Sequence, residues 1–300
     1  MNTFAPRVTD VGELEKLAAE GRWLVMSTVA SVKAGHVGGP MSAMDVMVAL
    51  YFSGMNVDVN NPLNPDRDRF ILSKGHSAIG LYSVMAMRGY FDREELSTFD
   101  TGDSRLQGHP DSTKLPGIEI ASGSLGQGLS YGAGVALAGK LNNAEFTTWV
   151  VVGDGELQEG NIWETVAVAP QFGLDNLVCV VDQNRLGQYG PPQNDPGMST
   201  DRKDPWQGVD LAKVFDAFGW HVIALADGND MTQVLNAIAD AKSQRGNNRP
   251  VVIIAETVKG SGASFAEGQH KWHNGIATDE QLDLAHMELF GTPRKAATTS

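Results

Sequence analysis

Thr148-Trp149-Val150-Val151-Val152-Gly153-Asp154-Gly155 is the stretch that decides the fold. Its apolar run reads as a buried strand, which Gly153-Asp154-Gly155 ends abruptly. A helix pattern follows, with Leu157, Ile162, Trp163, Val166 and Ala167 spaced among Glu156, Glu159 and Glu164. A second apolar run, Leu177-Val178-Cys179-Val180-Val181, ends in Asp182-Gln183-Asn184-Arg185-Leu186. Strand, glycine turn, helix and strand make a βαβ unit, and such units bind ligands beyond the carboxyl ends of their strands. Asp154 offers a carboxylate oxygen there, and Asn184 an amide oxygen. On neighbouring strands both oxygens reach one divalent cation. Magnesium takes oxygen ligands and leaves positions for substrate phosphates. Gly153 and Gly155 permit close backbone approach, and the helix start presents free N–H groups to an anion. The residues point to a metal-bridged phosphate or diphosphate site; a plain strand–turn–helix with an Asp N-cap is the alternative.

Toward the N-terminus, residues 1–10 read as a loose arm. Leu14, Leu17, Ala18, Gly21, Val25, Thr28, Val29 and Val32 then share one helical face. Gly35-His36-Val37-Gly38-Gly39-Pro40 stops that helix, and another starts near Ser42. Asp68–Ser73 reads as a strand, and Lys74-Gly75-His76 opens a further helix. Ser122 to Gly128 runs into a helix of small residues, Gly132, Ala133, Ala136 and Gly139, able to approach another backbone or a flat ligand closely. Beyond the central unit, residues 187–209 are polar and read as a long surface loop. Trp220–Leu225 and Pro250–Ala255 read as strands around a helix over Met231–Lys242. A Gly-rich loop over 257–276 carries His270 and His273, Thr278 can cap a final helix, and residues 292–300 read as a disordered tail. Strands alternating with helices predict one α/β domain over residues 1–300, with a mostly parallel sheet and helices on both faces.

A net charge of −13 argues against a general nucleic-acid binder, whose affinity comes from Lys and Arg. It does not exclude an anionic substrate, because one metal and local dipoles outweigh net charge at close range. The single cysteine, Cys179, lies in an apolar run and reads as a small buried hydrophobe. One cysteine permits no intrachain disulfide, and no run is apolar enough to span a bilayer, so a cytoplasmic protein is expected.

Seven histidines are present, and three share one form: Gly35-His36, Gly75-His76 and Gly108-His109. A histidine after a helix-breaking glycine projects an imidazole into a cleft, where it can donate to a diphosphate or move protons at neutral pH. One such residue alone reads equally as a loop histidine capping a carbonyl. Three beside one phosphate site point to function. His221 and His286 fall in regular elements and read as structural.

Gly-Asp-Gly followed by a strand-end Asn resembles the thiamine-diphosphate signature. The flank Gly153-Asp154-Gly155-Glu156-Leu157-Gln158-Glu159-Gly160 is similar to the transketolase family. Further blocks carry the same resemblance: Ala34-Gly35-His36-Val37-Gly38-Gly39-Pro40-Met41, Asp68 to His76, Gly108-His109-Pro110-Asp111, and Gly117 to Gly128. The resemblance implies a thiamine-diphosphate-binding fold, with His36 and His109 at the ketol substrate and His76 and His273 beside the cofactor diphosphate. These four make the implied catalytic set. Implied cofactor contacts are His76, Gly123, Leu125, Gly155, Glu159, Asn184 and His273. Asp154, Asn184 and the carbonyl of Leu186 are the implied metal ligands, for Mg2+ with Ca2+ or Mn2+ as substitutes. Glu159 and Glu164 fall in the family's subunit-interface carboxylate network; a solvated helix face is the alternative. One departure is Gly123-Ser124-Leu125, where many full-length members have Gly-Pro-Leu.

The resemblance covers roughly residues 11–276 and includes no match to the family's pyrimidine-binding domain, which carries the glutamate that activates the cofactor. It therefore implies the N-terminal subunit of a split transketolase, moving a two-carbon ketol unit from a ketose phosphate to an aldose phosphate. The implied partner is a C-terminal chain with the pyrimidine-binding domain and its glutamate, in a two-plus-two heterotetramer; no nucleic acid or membrane is expected. Rivals are a deoxyxylulose-phosphate-synthase-like split enzyme, a non-catalytic thiamine-diphosphate-binding subunit, and a nucleotide-binding oxidoreductase. The last rests only on Gly123, Gly126 and Gly128, which lack the Gly-x-Gly-x-x-Gly order.

Overall fold

The structure is a computed structural model and describes residues 6–188, 206 and 208–294. In chain order the strands are β1 (Arg69–Leu72), β2 (Thr148–Gly153), β3 (Leu177–Gln183), β4 (His221–Leu225) and β5 (Val251–Glu256). Among the described residues they form one sheet in the order β1-β2-β3-β5-β4, and every neighbouring pair is parallel. The central strands β2 and β3 are buried along nearly their whole length because the sheet is covered on both faces.

The helices are α1 (Val11–Val32), α2 (Gly38–Ser42), α3 (Met44–Ala49), α4 (Ala78–Arg88), α5 (Gln127–Leu141), α6 (Gly160–Val168), α7 (Leu211–Ala217), α8 (Met231–Ser243) and α9 (Asp279–Phe290). Alternate strand side chains feed two cores, as period-2 geometry requires. Trp149, Val151, Val178 and Val180 join the core built with α1, α3, α4, α8 and α9. Val150, Val152, Cys179 and Val181 join the core of α5, α6 and α7. Chain leaving β1 turns to the first face and chain leaving β2 to the second; the same divergence separates β5 from β3. Such divergence opens a crevice at the carboxyl edge of the sheet.

Local signals account for the boundaries. Asp10 caps α1 by accepting from Glu13 N at 2.8 Å, and Thr278 forms a reciprocal capping box with Gln281 on α9. Ahead of α1, Val8 N donates to Phe52 O and Arg88 donates to Pro6 O. The helix expected near Ser42 begins earlier, at Gly38, because Pro40 is tolerated in a first turn. Single-helix periodicity after Gly155 resolves into a 3-10 turn, Gly155–Gln158, and then α6. The break occurs where Glu159 is extended and the Leu157 carbonyl accepts from the Trp163 indole instead of a helical N–H. The small residues of α5 serve the chain's own sheet: a Cβ on Gly128 would lie 2.4 Å from Ser73 Oγ, and one on Gly132 2.4 Å from Val150. Most of the long polar loop, and the tail from residue 295, lie outside the described residues.

Candidate active site

Four strand ends meet at the carboxyl edge. Ser73-Lys74-Gly75-His76 follows β1, Asp154 follows β2, Asn184 follows β3, and Lys259 lies just beyond β5. The α1–α2 connection brings His36 over them, and the 3-10 turn His270–His273 brings His273. Gly75 is needed here, since any side chain would meet Ser122 Oγ at 2.7 Å and Gly123 N at 2.8 Å.

Asp182 and Lys74 form a buried ion pair at the centre. Lys74 also donates to Gly39 O at 3.1 Å. Asp182 Oδ2 accepts from Ser42 Oγ at 2.7 Å and from Asn184 Nδ2 at 3.1 Å, while Thr257 Oγ1 donates to Oδ1. Burial pushes this carboxyl up, but Lys74 and the hydrogen bonds outweigh burial and hold it below the usual carboxylate range.

Asp154 is equally buried and has no cation paired with it in hydrogen-bond range among the described residues. Its Oδ1 accepts from Gly155 N at 2.7 Å, and its Oδ2 from Arg185 N at 2.5 Å. Burial, with Asp182 nearby, raises its pKa to about 6. Asn184 turns its Oδ1 toward Leu186 N at 3.1 Å. The Leu186 carbonyl accepts from Lys259 Nζ at 3.0 Å. Lys259 spends its other two N–H groups on Gly187 O and on His273 Nδ1, each at 3.0 Å. Burial and the nearby Lys74 lower its pKa to about 8.

His36, His76 and His273 converge, with ring centroids 5.0–5.1 Å apart. Burial, with Lys74 next, lowers His76 to about 2; burial, with Lys259 next, lowers His273 to about 3. Burial also lowers His36, helped by His109 and Lys259 and opposed by Asp100. The three rings are therefore neutral at pH 7. Because Lys259 donates to His273 Nδ1, that ring carries its proton on Nε2.

His109 is exposed at the rim, with its ring 3.2 Å from where a Cβ of Gly123 would stand. Leu125 is half-buried beside it in sequence, between that glycine and α5. Glu159 and Glu164 are both exposed, at the N-cap and along the body of α6, away from the histidine triad's contacts. Sequence reasoning missed four buried charges: Lys74, Glu156, Asp182 and Lys259. Glu156 accepts from Ser73 Oγ, from Gly126 N at 2.8 Å and from Gly153 N at 3.1 Å, tying β1, β2 and the start of α5 together. A signal existed for Asp182: a carboxylate closing an all-apolar strand must find a partner.

The residues fit a metal-bound diphosphate. Asp154, the Asn184 oxygen and the Leu186 carbonyl are an all-oxygen set of the kind magnesium prefers. Among the described residues no cluster of three or more His, Cys, Asp or Glu suits a metal, so a cation here depends on this mixed set. A Cβ on Gly153 or Gly155 would touch nothing nearer than 3.8 Å, so the protein's own packing does not demand glycine at either position. Ser77 Oγ and Ser122 Oγ are buried without a partner among the described residues, and both border this cradle.

The family described as "Transketolase, thiamine diphosphate binding domain" matches residues 14–297. One chain of the apulose-4-phosphate transketolase of Phocaeicola vulgatus, named as a subunit of that enzyme, is 38% identical over 279 residues, covering 93% of this chain and 94% of that protein. A 6-deoxy-6-sulfo-D-fructose transketolase subunit of a Clostridium species is 37% identical over 277 residues, covering 92% and 96%. The solved transketolase of Campylobacter jejuni superposes with a TM-score of 0.83 at 28% identity, over 94% of this chain but 43% of that one.

Proposed function

The chain belongs to the transketolase family, through its thiamine-diphosphate-binding domain, and from that premise we propose that it is the diphosphate-binding subunit of a two-chain transketolase. The observation that carries the reading is that Lys259 joins the Leu186 carbonyl to His273, which sets the Asp154, Asn184 and Leu186 oxygens beside a cluster of three neutral imidazoles. In this reading Asp154, Asn184 and the Leu186 carbonyl hold Mg2+, with Ca2+ or Mn2+ as substitutes. Thiamine diphosphate, when bound, supplies the carbon nucleophile for breaking and making a carbon–carbon bond next to a carbonyl. His273, its tautomer set by Lys259, directs Nε2–H at the diphosphate side, and His76 serves the same side as a neutral donor. His36 and His109 give and take protons at the hydroxyls of the ketose donor and aldose acceptor. Gly123 and Leu125 serve the ring side of the cofactor, and Glu159 and Glu164 face another subunit.

The proposed substrates are a ketose phosphate and an aldose phosphate. The proposed partner carries a pyrimidine-binding domain and its glutamate, in a two-plus-two assembly in the cytoplasm. Support comes from relatives of similar length named as subunits, and from the solved transketolase, which is more than twice as long as the matched region. No described helix is long and apolar enough to cross a membrane. The test is to purify the chain alone and with its partner, add thiamine diphosphate, magnesium and sugar phosphates, and measure ketol transfer. Turnover only with both chains is expected; full turnover by this chain alone would overturn the two-chain reading.

A further inference from the structure

Asn184 is an amide, and its two ends are unlike: one accepts hydrogen bonds or a cation, the other only donates. A flipped amide would present N–H groups to a metal and fail as a ligand. The backbone of a strand end does not choose between the two orientations. The choice falls to the groups that the nitrogen meets.

We propose that Asp182 is a positioning residue for the cation site, fixing the Asn184 amide with its nitrogen inward and its oxygen toward the metal. The inference rests on the reading of Asn184 as a metal ligand. Nδ2 of Asn184 donates to Asp182 Oδ2 at 3.1 Å and lies 3.4 Å from Ser42 Oγ. Ser42 has a single hydroxyl proton, and its bond to Asp182 at 2.7 Å is shorter than that to Gly39 O at 3.0 Å. With the proton on the Asp182 side, the Ser42 oxygen is left to accept from Asn184. Both neighbours of the nitrogen are then acceptors, and a flipped oxygen would face them without a donor.

Asp182 is itself held from three directions. Lys74 arrives from the end of β1, Ser42 from α2, and Thr257 from the end of β5. Its carboxylate cannot rotate away without breaking these bonds. On the other side of the amide, Leu186 N donates to Oδ1 at 3.1 Å, using one of the two lone pairs of that oxygen. The Leu186 contact favours the same orientation but comes from a loop. The Asp182 contact comes from the strand, whose position the sheet fixes.

The test is calorimetry of thiamine diphosphate binding at several magnesium concentrations, with the thermal midpoint of each variant measured without cofactor. Loss of a group that orients a metal ligand weakens affinity roughly 10–100-fold, and that loss is expected for Asp182→Asn. The exchange variant Asp182→Asn with Asn184→Asp presents oxygen to the metal in either orientation, and its affinity returns toward wild type. Asn184→Asp alone, measured alongside, controls for the charge that the new carboxylate brings to the metal and to Lys74. Should Asp182→Asn fail to fold, Ser42→Ala removes the second neighbour of Nδ2. It is expected to weaken binding roughly 2–10-fold, the worth of one hydrogen bond, and wild-type affinity in Ser42→Ala would count against the inference. Wild-type affinity in Asp182→Asn, or an exchange variant as weak as the single one, would overturn the inference alone. Magnesium-independent binding by the wild-type chain would overturn the metal reading and the inference together.

Discussion

Asp68 and Asp154 sit at opposite edges of the sheet, one just before β1 and the other just after β2. Both are buried, and each accepts two backbone N–H bonds. Asp68 takes Thr147 N and Asn56 N at 2.7 Å each; Asp154 takes Gly155 N at 2.7 Å and Arg185 N at 2.5 Å. Burial raises the pKa of both. Their electrostatic surroundings differ. Lys242 and Arg7 favour the charge on Asp68, whereas on Asp154 the opposition of Asp182 outweighs the help of Lys74. The amino edge is closed on itself, as the largely buried Arg67–Glu119 pair nearby also shows. At the carboxyl edge Asp154 and Asp182 stand close together, and Lys74 pairs with Asp182 but only lessens the repulsion at Asp154. Buried charge alone is therefore a poor sign of function; buried charge that the protein leaves uncompensated is a better one.

The sharpest way to break this contrast is Asp154→Ala. It should abolish magnesium-dependent thiamine diphosphate binding in calorimetry, and unchanged affinity would end the metal reading. The apo chain should lose less stability than it does with Asp68→Ala, because removing Asp154 also relieves its repulsion with Asp182. Within the carboxyl edge, His36→Ala or His109→Ala should lower turnover of the assembled enzyme about 10²–10⁴-fold, the usual worth of general acid–base catalysis, with cofactor affinity retained. A double variant at full rate would reject the substrate role of both. At the amino edge, Asp68→Ala strands two backbone donors and should destabilise the chain by about 1–3 kcal/mol per unmet group. Urea unfolding measures the loss, and cofactor affinity should stay as in the wild type; a large fall in affinity would erase the distinction between the edges.

The smallest effect is the pH dependence of the apo chain. His76 and His273 have folded pKa values of about 2 and about 3, below the unfolded value of 6.5. Between those limits the unfolded chain binds protons that the folded chain refuses. Their contribution to stability is therefore present above about pH 6.5 and lost as pH falls below it. Urea midpoints at pH 7.5 and 5.5 should differ more in the wild type than in a His76→Gln, His273→Gln variant. Equal differences would show that the two rings titrate normally.

Much of the fold is legible in the sequence because strand and helix periods are short-range signals. The runs 148–152 and 177–181 form β2 and β3, and Thr278 caps α9 as expected. Gly-Asp-Gly and Asn184 stand out because turns and strand ends carry their chemistry locally. The three Gly-His pairs are visible too, but not their different fates. His36 and His76 share a half-buried triad with His273, while His109 stands exposed at the rim. The glycines of α5 read as permitting close approach to another backbone or a flat ligand, and Gly128 and Gly132 lie against Ser73 and Val150 of the chain's own sheet. Helical spacing says which residues share a face and not which neighbour that face meets.

By itself, then, the sequence determined the βαβ unit and the family, and it named the proposed oxygen ligands. The tertiary structure alone decided that Lys74 pairs with Asp182, that Lys259 orients His273, and that both Asp182 oxygens are held from β1, α2 and β5. The reason lies in parallel topology. Adjacent parallel strands are joined by long crossovers, so residues that meet at one edge are far apart in the chain, and no local spacing records their contact. The order β1-β2-β3-β5-β4 brings those distant strand ends together, and with them the charges that the site requires.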